Sequence, residues 1–206
     1  MMDKNALELY FICGSSDTDE HLPAVVEKAL DAGITLFQLR EKGSRSLTGD
    51  ELVETASEIK KLCDSYEVPF IINDDYELAE QIEADGVHLG QDDIRVQDLP
   101  PYFNDKIVGL SVGNAKELAS SNLKKVSYIG TGPVYATPSK ADAGKAITPK
   151  GLADMRRLIG DKPMVAIGGI TPDNYMACLE NGADGICVIS AIANAPDIRD
   201  AVHRFL

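Results

Sequence analysis

From its amino terminus the chain alternates short apolar runs with longer amphipathic stretches. The runs are Leu7–Ile12, Ile34–Leu39, Phe70–Ile72, Val87–Leu89, Ile107–Leu110, Ser127–Ile129, Met164–Ile167 and Ile186–Ile189. They are rich in β-branched or aromatic residues and end at polar, Gly or Pro breaks, which predicts strands. Between them, apolar positions recur at helical spacing. His21–Ala32 runs into Gly33, a natural helix stop, and Leu47–Tyr66 is a long amphipathic segment ahead of Pro69. Tyr76–Glu83, Ala115–Ser120 and Gly151–Ile159 are shorter helical stretches, and Thr171-Pro172 reads as an N-cap followed by a first-turn proline.

Near-continuous apolar strands alternating with helices imply a parallel sheet covered on both faces. Eight such units predict an α/β protein of the (β/α)8 TIM barrel class, with residues 1–206 forming a minimal single domain against the usual ~250 residues. An open doubly wound sheet shares this alternation. A repeat favours the barrel: Ala84-Asp85-Gly86-Val87 leads into the fourth run and Ala183-Asp184-Gly185-Ile186 into the eighth. One connection, residues 130–150, is longer than the others and carries Gly, Pro, Thr, Ser and three lysines. It is expected to be a mobile loop where a barrel enzyme keeps a lid.

Composition narrows the function. Hydrophobic residues make up 44% and charged residues 26%, which excludes a disordered chain or a coiled-coil rod. At this length about 70% of the unfolded surface can be buried, so no structural metal or disulfide is needed. Twenty Lys+Arg against 33 Asp+Glu give a net charge of −13, which argues against nucleic-acid and anionic-membrane partners. An anionic ligand must then be held by local cations or a metal. Cys13, Cys63, Cys178 and Cys187 lack CxxC spacing and read as reduced, mostly buried thiols. No secretory pattern follows Met1, and no apolar stretch reaches ~20 residues, which together indicate a cytoplasmic protein.

Polar residues at the carboxyl ends of the strands carry the candidate chemistry. After the second run, Gln38, Arg40 and Lys42 share one face and suit a diphosphate, although ordinary surface charges at a strand end read the same way. Asn73-Asp74-Asp75 and Gly90-Gln91-Asp92-Asp93 bring carboxylates from adjacent strands together, as Mg²⁺ sites require; helix capping by Asp74 or Asp75 is the alternative. Gly168-Gly169 and Ser190 fit a phosphate, and Gly-Gly equally fits a tight turn. Thr137-Pro138-Ser139-Lys140 offers hydroxyls and an ammonium, or a solvated loop. Ser111 adds a polar group after the fifth run, whereas His88 reads as an interior histidine and His21 and His203 as peripheral. No zinc spacing, GxSxG or P-loop occurs.

These residues fall in segments with a family likeness: FQLREKG at 37–43, INDDYELAEQIEADGVHLGQDD at 72–93 and GLSVGN at 109–114. YIGTGPVYATPSKADA at 128–143, VAIGGITPDN at 165–174 and GADGICVISAI at 182–192 continue it in order. Together they span nearly the whole chain, and the sequence resembles the thiamine-phosphate synthase family. The resemblance implies a barrel that joins 4-amino-2-methyl-5-pyrimidinylmethyl diphosphate to 4-methyl-5-(2-phosphooxyethyl)thiazole, giving thiamine phosphate and diphosphate. By motif position it implies that Gln38, Leu39, Arg40, Glu41, Lys42, Asn73, Ser111 and Lys140 contact the pyrimidine diphosphate. Arg40, Lys42 and Lys140 would assist its departure. It further implies that Asp74 and Asp93 hold Mg²⁺, with Asp93 selected over Asp92. Thr137, Pro138, Ser139, Gly169, Ile189 and Ser190 would receive the thiazole phosphate.

Two positions depart from the family: Ser139 stands where a second Thr is frequent, and Gly113-Asn114 replaces a frequent His. The expected partners are two phosphorylated heterocycles, with no nucleic acid and no membrane; no oligomeric state is assigned. The rivals are a thiazole tautomerase of similar fold, a regulatory phosphate-binding barrel and a phosphosugar isomerase. The first would not require both the GQDD and QLREK sets, and the last needs an acid–base pair that does not stand out.

Overall fold

The computed structural model describes residues 2–137 and 144–206. Among them, eight strands close into a parallel barrel in sequence order, β1 returning to pair with β8. The strands are β1 Leu9–Cys13, β2 Leu36–Leu39, β3 Phe70–Asn73, β4 Gly86–Leu89, β5 Ile107–Ser111, β6 Tyr128–Thr131, β7 Met164–Ile167 and β8 Gly185–Val188. Around them lie α1 Leu22–Ala32, α2 Gly49–Ser65, α3 Tyr76–Gln81, α4 Ala115–Ser120, α5 Thr148–Ile159, α6 Tyr175–Glu180, α7 Ser190–Ala193 and α8 Ile198–His203. This is the (β/α)8 architecture; the open doubly wound alternative is excluded by the β1–β8 pairing.

Several boundaries differ from the sequence reading. Leu7 belongs to a 3-10 turn, Lys4–Leu7, and β1 starts only at Leu9. Strands β3, β5 and β6 run further, through Asn73, Ser111 and Thr131, because polar residues at the mouth still share the ladder. Helix α5 starts at Thr148, so the long connection covers 132–147 rather than 130–150. Thr171 is not the cap of α6. Its N–H donates to the Asn174 side chain, which also donates to the Gly169 carbonyl, and the helix begins at Tyr175. Between β4 and β5 the crossover carries two 3-10 helices, Val96–Asp98 and Pro101–Asp105.

The core has two parts. Leu9, Phe11, Phe37, Phe70, Val87 and Ile129 pack outward against the helices. Tyr10, Ile12, Leu36, Ile71, Tyr128 and Val165 fill the barrel lumen. The lumen accepts these large rings because glycine stands opposite them. A Cβ on Gly109 would lie 2.4 Å from both His88 Nδ1 and Tyr128 Oη, well inside van der Waals contact.

A repeated device closes the lower rim. Residues near the start of a strand there have backbone N–H groups that need an acceptor. Leu9 N–H donates to Thr35 Oγ1 (2.9 Å), Phe70 N–H to Asp85 Oδ2 (2.9 Å), Val108 N–H to Ser127 Oγ (3.1 Å) and Met164 N–H to Asp184 Oδ2 (2.9 Å). In each case the acceptor residue returns its own N–H to the same partner's carbonyl. Thr35, Asp85, Ser127 and Asp184 each immediately precede an even-numbered strand, so one contact recurs four times around the barrel.

Candidate active site

The carboxyl ends of β2, β3 and β4 gather the charged candidates. Arg40 follows β2 and is only 9% exposed. Its neighbours Lys42 and Arg45 pair with Asp74 and Asp19. Among the described residues, no carboxylate lies within salt-bridge distance of Arg40 itself, although Asp17 feels its charge. A buried cation without a close counterion is costly unless an anionic ligand supplies one. Gln38 is buried in the lumen, where its amide nitrogen donates to the Tyr10 hydroxyl. Asn73 is the last residue of β3 and lies in register with His88.

Lys42 Nζ lies 2.6 Å from Asp74 Oδ2. Asp75, not Asp74, caps α3 by accepting the Leu78 N–H at 2.9 Å, which leaves the Asp74 carboxylate for the mouth. Asp74 holds a left-handed backbone at φ 63°, where Asp is tolerated at some strain. Its N–H donates to the His88 carbonyl at 2.8 Å. Asp93 is placed by a tight turn in which its Oδ2 accepts the Gly90 N–H at 2.6 Å. Asp92 is exposed.

The Asp74 and Asp93 carboxyls come within hydrogen-bonding range of each other. Burial raises both. In Asp74 this is outweighed by hydrogen bonds from Lys42 and Asp93, and its carboxyl sits below its ordinary value. In Asp93, burial and then the adjacent Asp74 push the carboxyl up. Two facing carboxylates that cannot both ionise without cost form a hard-oxygen donor pair whose repulsion a divalent cation relieves. Among the described residues no cluster of three or more His, Cys, Asp or Glu gathers. Two carboxylates suit Mg²⁺, which retains water and phosphate oxygens in its octahedron.

The β5–β8 half of the mouth is a cavity of about 480 Å³. Ser111, Thr137, Gly169, Ile189 and Ser190 line it, bringing together residues from both expected ligand sets. Gly168 and Gly169 take φ of 100° and 64°. A Cβ on Gly169 would stand 2.6 Å from the Ala136 carbonyl oxygen, so glycine here lets the connection after β6 cross close above.

Besides Gln38, whose amide nitrogen is engaged by Tyr10, two expected contacts are committed elsewhere through their side chains. Leu39 packs with the helix-facing core. Glu41 accepts Ser15 N–H at 2.8 Å and Leu47 N–H at 2.8 Å, bracing the loops after β1 and β2. Pro138, Ser139 and Lys140 lie outside the described residues. Polar lining residues to which the sequence reading assigned no contact are Asn114, Glu117 and Lys145. The lysines of the long connection were the one available signal for Lys145. Glu117 is drawn in because it accepts the Gly113 N–H at 2.7 Å.

A family model described as thiamine monophosphate synthase (TMP-TENI) matches residues 9–192. Thiamine-phosphate synthase of Staphylococcus carnosus is 50% identical over 208 residues, covering 100% of this chain and 98% of that protein. The Staphylococcus epidermidis protein of the same name is 49% identical with the same coverage. Among solved structures, thiamine phosphate pyrophosphorylase from Pyrococcus furiosus superposes with a TM-score of 0.86 at 33% identity, covering 98% of this chain and 95% of that one. With the barrel, its two-part mouth and relatives matched end to end, the chain belongs to the thiamine monophosphate synthase family.

Proposed function

We propose that residues 1–206 form one catalytic unit, a thiamine-phosphate synthase that joins the pyrimidinylmethyl diphosphate to the thiazole phosphate. The observation that carries this reading is the nearly buried Arg40, without a close carboxylate among the described residues, at the same mouth as the Lys42–Asp74–Asp93 cluster. Such a mouth favours an anion with high charge density.

In the reaction, the bond between the exocyclic CH₂ and the diphosphate oxygen breaks, and its electron pair leaves with diphosphate. The amino-substituted ring donates electrons to the CH₂ as this happens. The thiazole nitrogen lone pair then forms the new C–N bond, and no covalent enzyme intermediate is required. Arg40 and Lys42 stabilise the departing charge, and Lys140 takes the same role on the family likeness. Gln38, Leu39, Glu41, Asn73 and Ser111 belong to this subsite, Leu39 and Glu41 through their main chains. Thr137, Pro138, Ser139, Gly169, Ile189 and Ser190 orient the thiazole phosphate, so that the two rings meet in an attack geometry. Asp74 and Asp93 would hold Mg²⁺, which supplies Lewis-acid charge neutralisation when bound. No helix among the described residues is long and apolar enough to cross a membrane, in keeping with work on soluble metabolites in the cytoplasm.

The test is incubation of purified protein with both heterocycles and Mg²⁺, following thiamine phosphate and diphosphate. Equal release of both products is expected, with loss on chelation. Isomerisation of the thiazole without coupling would overturn the reading, and coupling that survives chelation would remove the metal from it.

A further inference from the structure

The buried polar groups of the lumen join into one chain of hydrogen bonds. Gln38 Nε2 donates to the Tyr10 hydroxyl, which lies 2.8 Å from the Tyr128 hydroxyl. Tyr128 Oη is 2.8 Å from His88 Nδ1, and His88 Nε2 is 2.9 Å from Ser111 Oγ. Residues of β2, β1, β6, β4 and β5 thus connect across the barrel, and the chain ends at Ser111 in the cavity wall. Gly109 and Gly130 make room for it. A Cβ on Gly130 would lie 3.2 Å from His88 Cε1, and one on Gly109 would collide with both His88 and Tyr128.

The first link fixes the direction of all the others. An amide nitrogen only donates, and a phenol has one hydrogen to give. With Gln38 donating and no other hydrogen-bond partner for either phenol among the described residues, the Tyr10 hydrogen goes to Tyr128 and the Tyr128 hydrogen goes to His88 Nδ1. A ring nitrogen that accepts carries no hydrogen, so that hydrogen sits on Nε2 and faces Ser111 Oγ. Ser111 therefore accepts from His88 and has its own hydrogen left for the cavity. Burial holds both phenols well above their ordinary value, so neither ionises and breaks the order.

We infer that this chain is a hydrogen-ordering device. Gln38, Tyr10 and Tyr128 are positioning residues that keep His88 as its Nε2–H tautomer and so aim the Ser111 hydroxyl hydrogen at a phosphoryl oxygen of the bound diphosphate. Run in reverse, the chain would turn that hydrogen back toward His88 and present an anion with oxygen lone pairs. The identity of the ligand rests on the function proposed above; the tautomer belongs to the free protein.

The test reads the imidazole nitrogens by NMR in ligand-free protein carrying ¹⁵N-labelled histidine and the surface changes His21→Gln and His203→Gln, which leave His88 as the single signal. The expected state is protonated Nε2 and unprotonated Nδ1. Protonated Nδ1, or an imidazolium at neutral pH, overturns the inference. Tyr128→Phe should convert the single tautomer into a mixture and weaken the binding of inorganic diphosphate about tenfold, the scale of a misaligned hydrogen bond to a charged group. An unchanged tautomer or unchanged diphosphate affinity in that variant also overturns it. If Tyr128→Phe does not fold, Tyr10→Phe cuts the chain one link earlier and is read in the same way. Neither measurement needs turnover, so a failed coupling assay counts against the proposed function and not against this ordering.

Discussion

The Lys42 ammonium lies 2.6 Å from the Asp74 carboxylate, and the pair ties the cationic end of β2 to the carboxylates that follow β3 and β4. Lys42 is half exposed and Asp74 a quarter exposed, so the ion pair contributes little to folding, under about 1 kcal/mol. Its place at the mouth gives it a different weight in catalysis. Asp74→Asn tolerates the left-handed backbone at φ 63° yet removes one hard-oxygen ligand and one charge. We expect near-wild-type thermal stability, turnover lower by about a hundredfold, and a higher Mg²⁺ concentration at half-maximal rate. Turnover with an unchanged Mg²⁺ requirement would refute the assignment of Asp74.

Arg40 presents the opposite balance. Its guanidinium is almost buried and has no carboxylate in salt-bridge range among the described residues, so in the free protein its burial is poorly compensated. Arg40→Met keeps much of the apolar stem and removes the charge. The melting temperature should stay level or rise by about 2–4 °C, while the coupling rate falls by about a hundredfold. Arg40→Lys should fall between, since an ammonium cannot grip two diphosphate oxygens as a fork. Loss of more than about 2 kcal/mol of stability in Arg40→Met would make Arg40 a structural residue instead.

The strands were legible because each buried run is apolar on both faces, and that same property hid which face looks inward. Nothing in the run Leu9–Cys13 separates lumen-facing Tyr10 from helix-facing Phe11. The Tyr10–Tyr128–His88 chain was therefore invisible, and His88 read only as an interior residue. The lower rim shows the same effect. Asp85 and Asp184 stood out because both precede glycine, while Thr35 and Ser127 make the same contact with different residue types. The approach of Asp74 to Asp93 was readable from the adjacency of their strands. The engagement of Glu41 with Ser15 was not, because it depends on the path of two loops rather than on any local pattern.

All four cysteines are buried thiols, and for Cys13, Cys63 and Cys178 burial is also the leading influence on their acidity. It pushes Cys63 up to about 12 and Cys178 up to about 11. Thiolate is the reactive form, so native protein at pH 8 should react with a disulfide reagent only as fast as it opens. Expected is slow labelling of the native protein, followed by rapid release of all four equivalents in denaturant. A fast native phase would reveal a thiol accessible at the mouth or through a local opening.

Asp184 holds the lower rim between β7 and β8, and its titration gives stability a defined pH dependence. Burial raises its carboxyl, but Lys4, the Met164 N–H and Arg156 together bring it below the ordinary value. Arg156 reaches it at 2.6 Å and also donates to the Gly182, Gly160 and Lys162 carbonyls, so the charge sits within a fixed frame. A carboxyl lowered in the native state stabilises fully above its unfolded value, near 3.9, and loses that contribution as pH falls through its native value. In Asp184→Asn the amide oxygen can still accept from Met164, so what is lost is the charge. Urea unfolding should show the variant about 1–3 kcal/mol less stable between pH 5 and 8, with the gap narrowing below about pH 4. Activity per folded molecule should not change, because the residue lies at the end of the barrel opposite the mouth. A gap that widened in acid would mean that the native carboxyl is raised, and Lys4, the Met164 N–H and Arg156 could not then outweigh its burial.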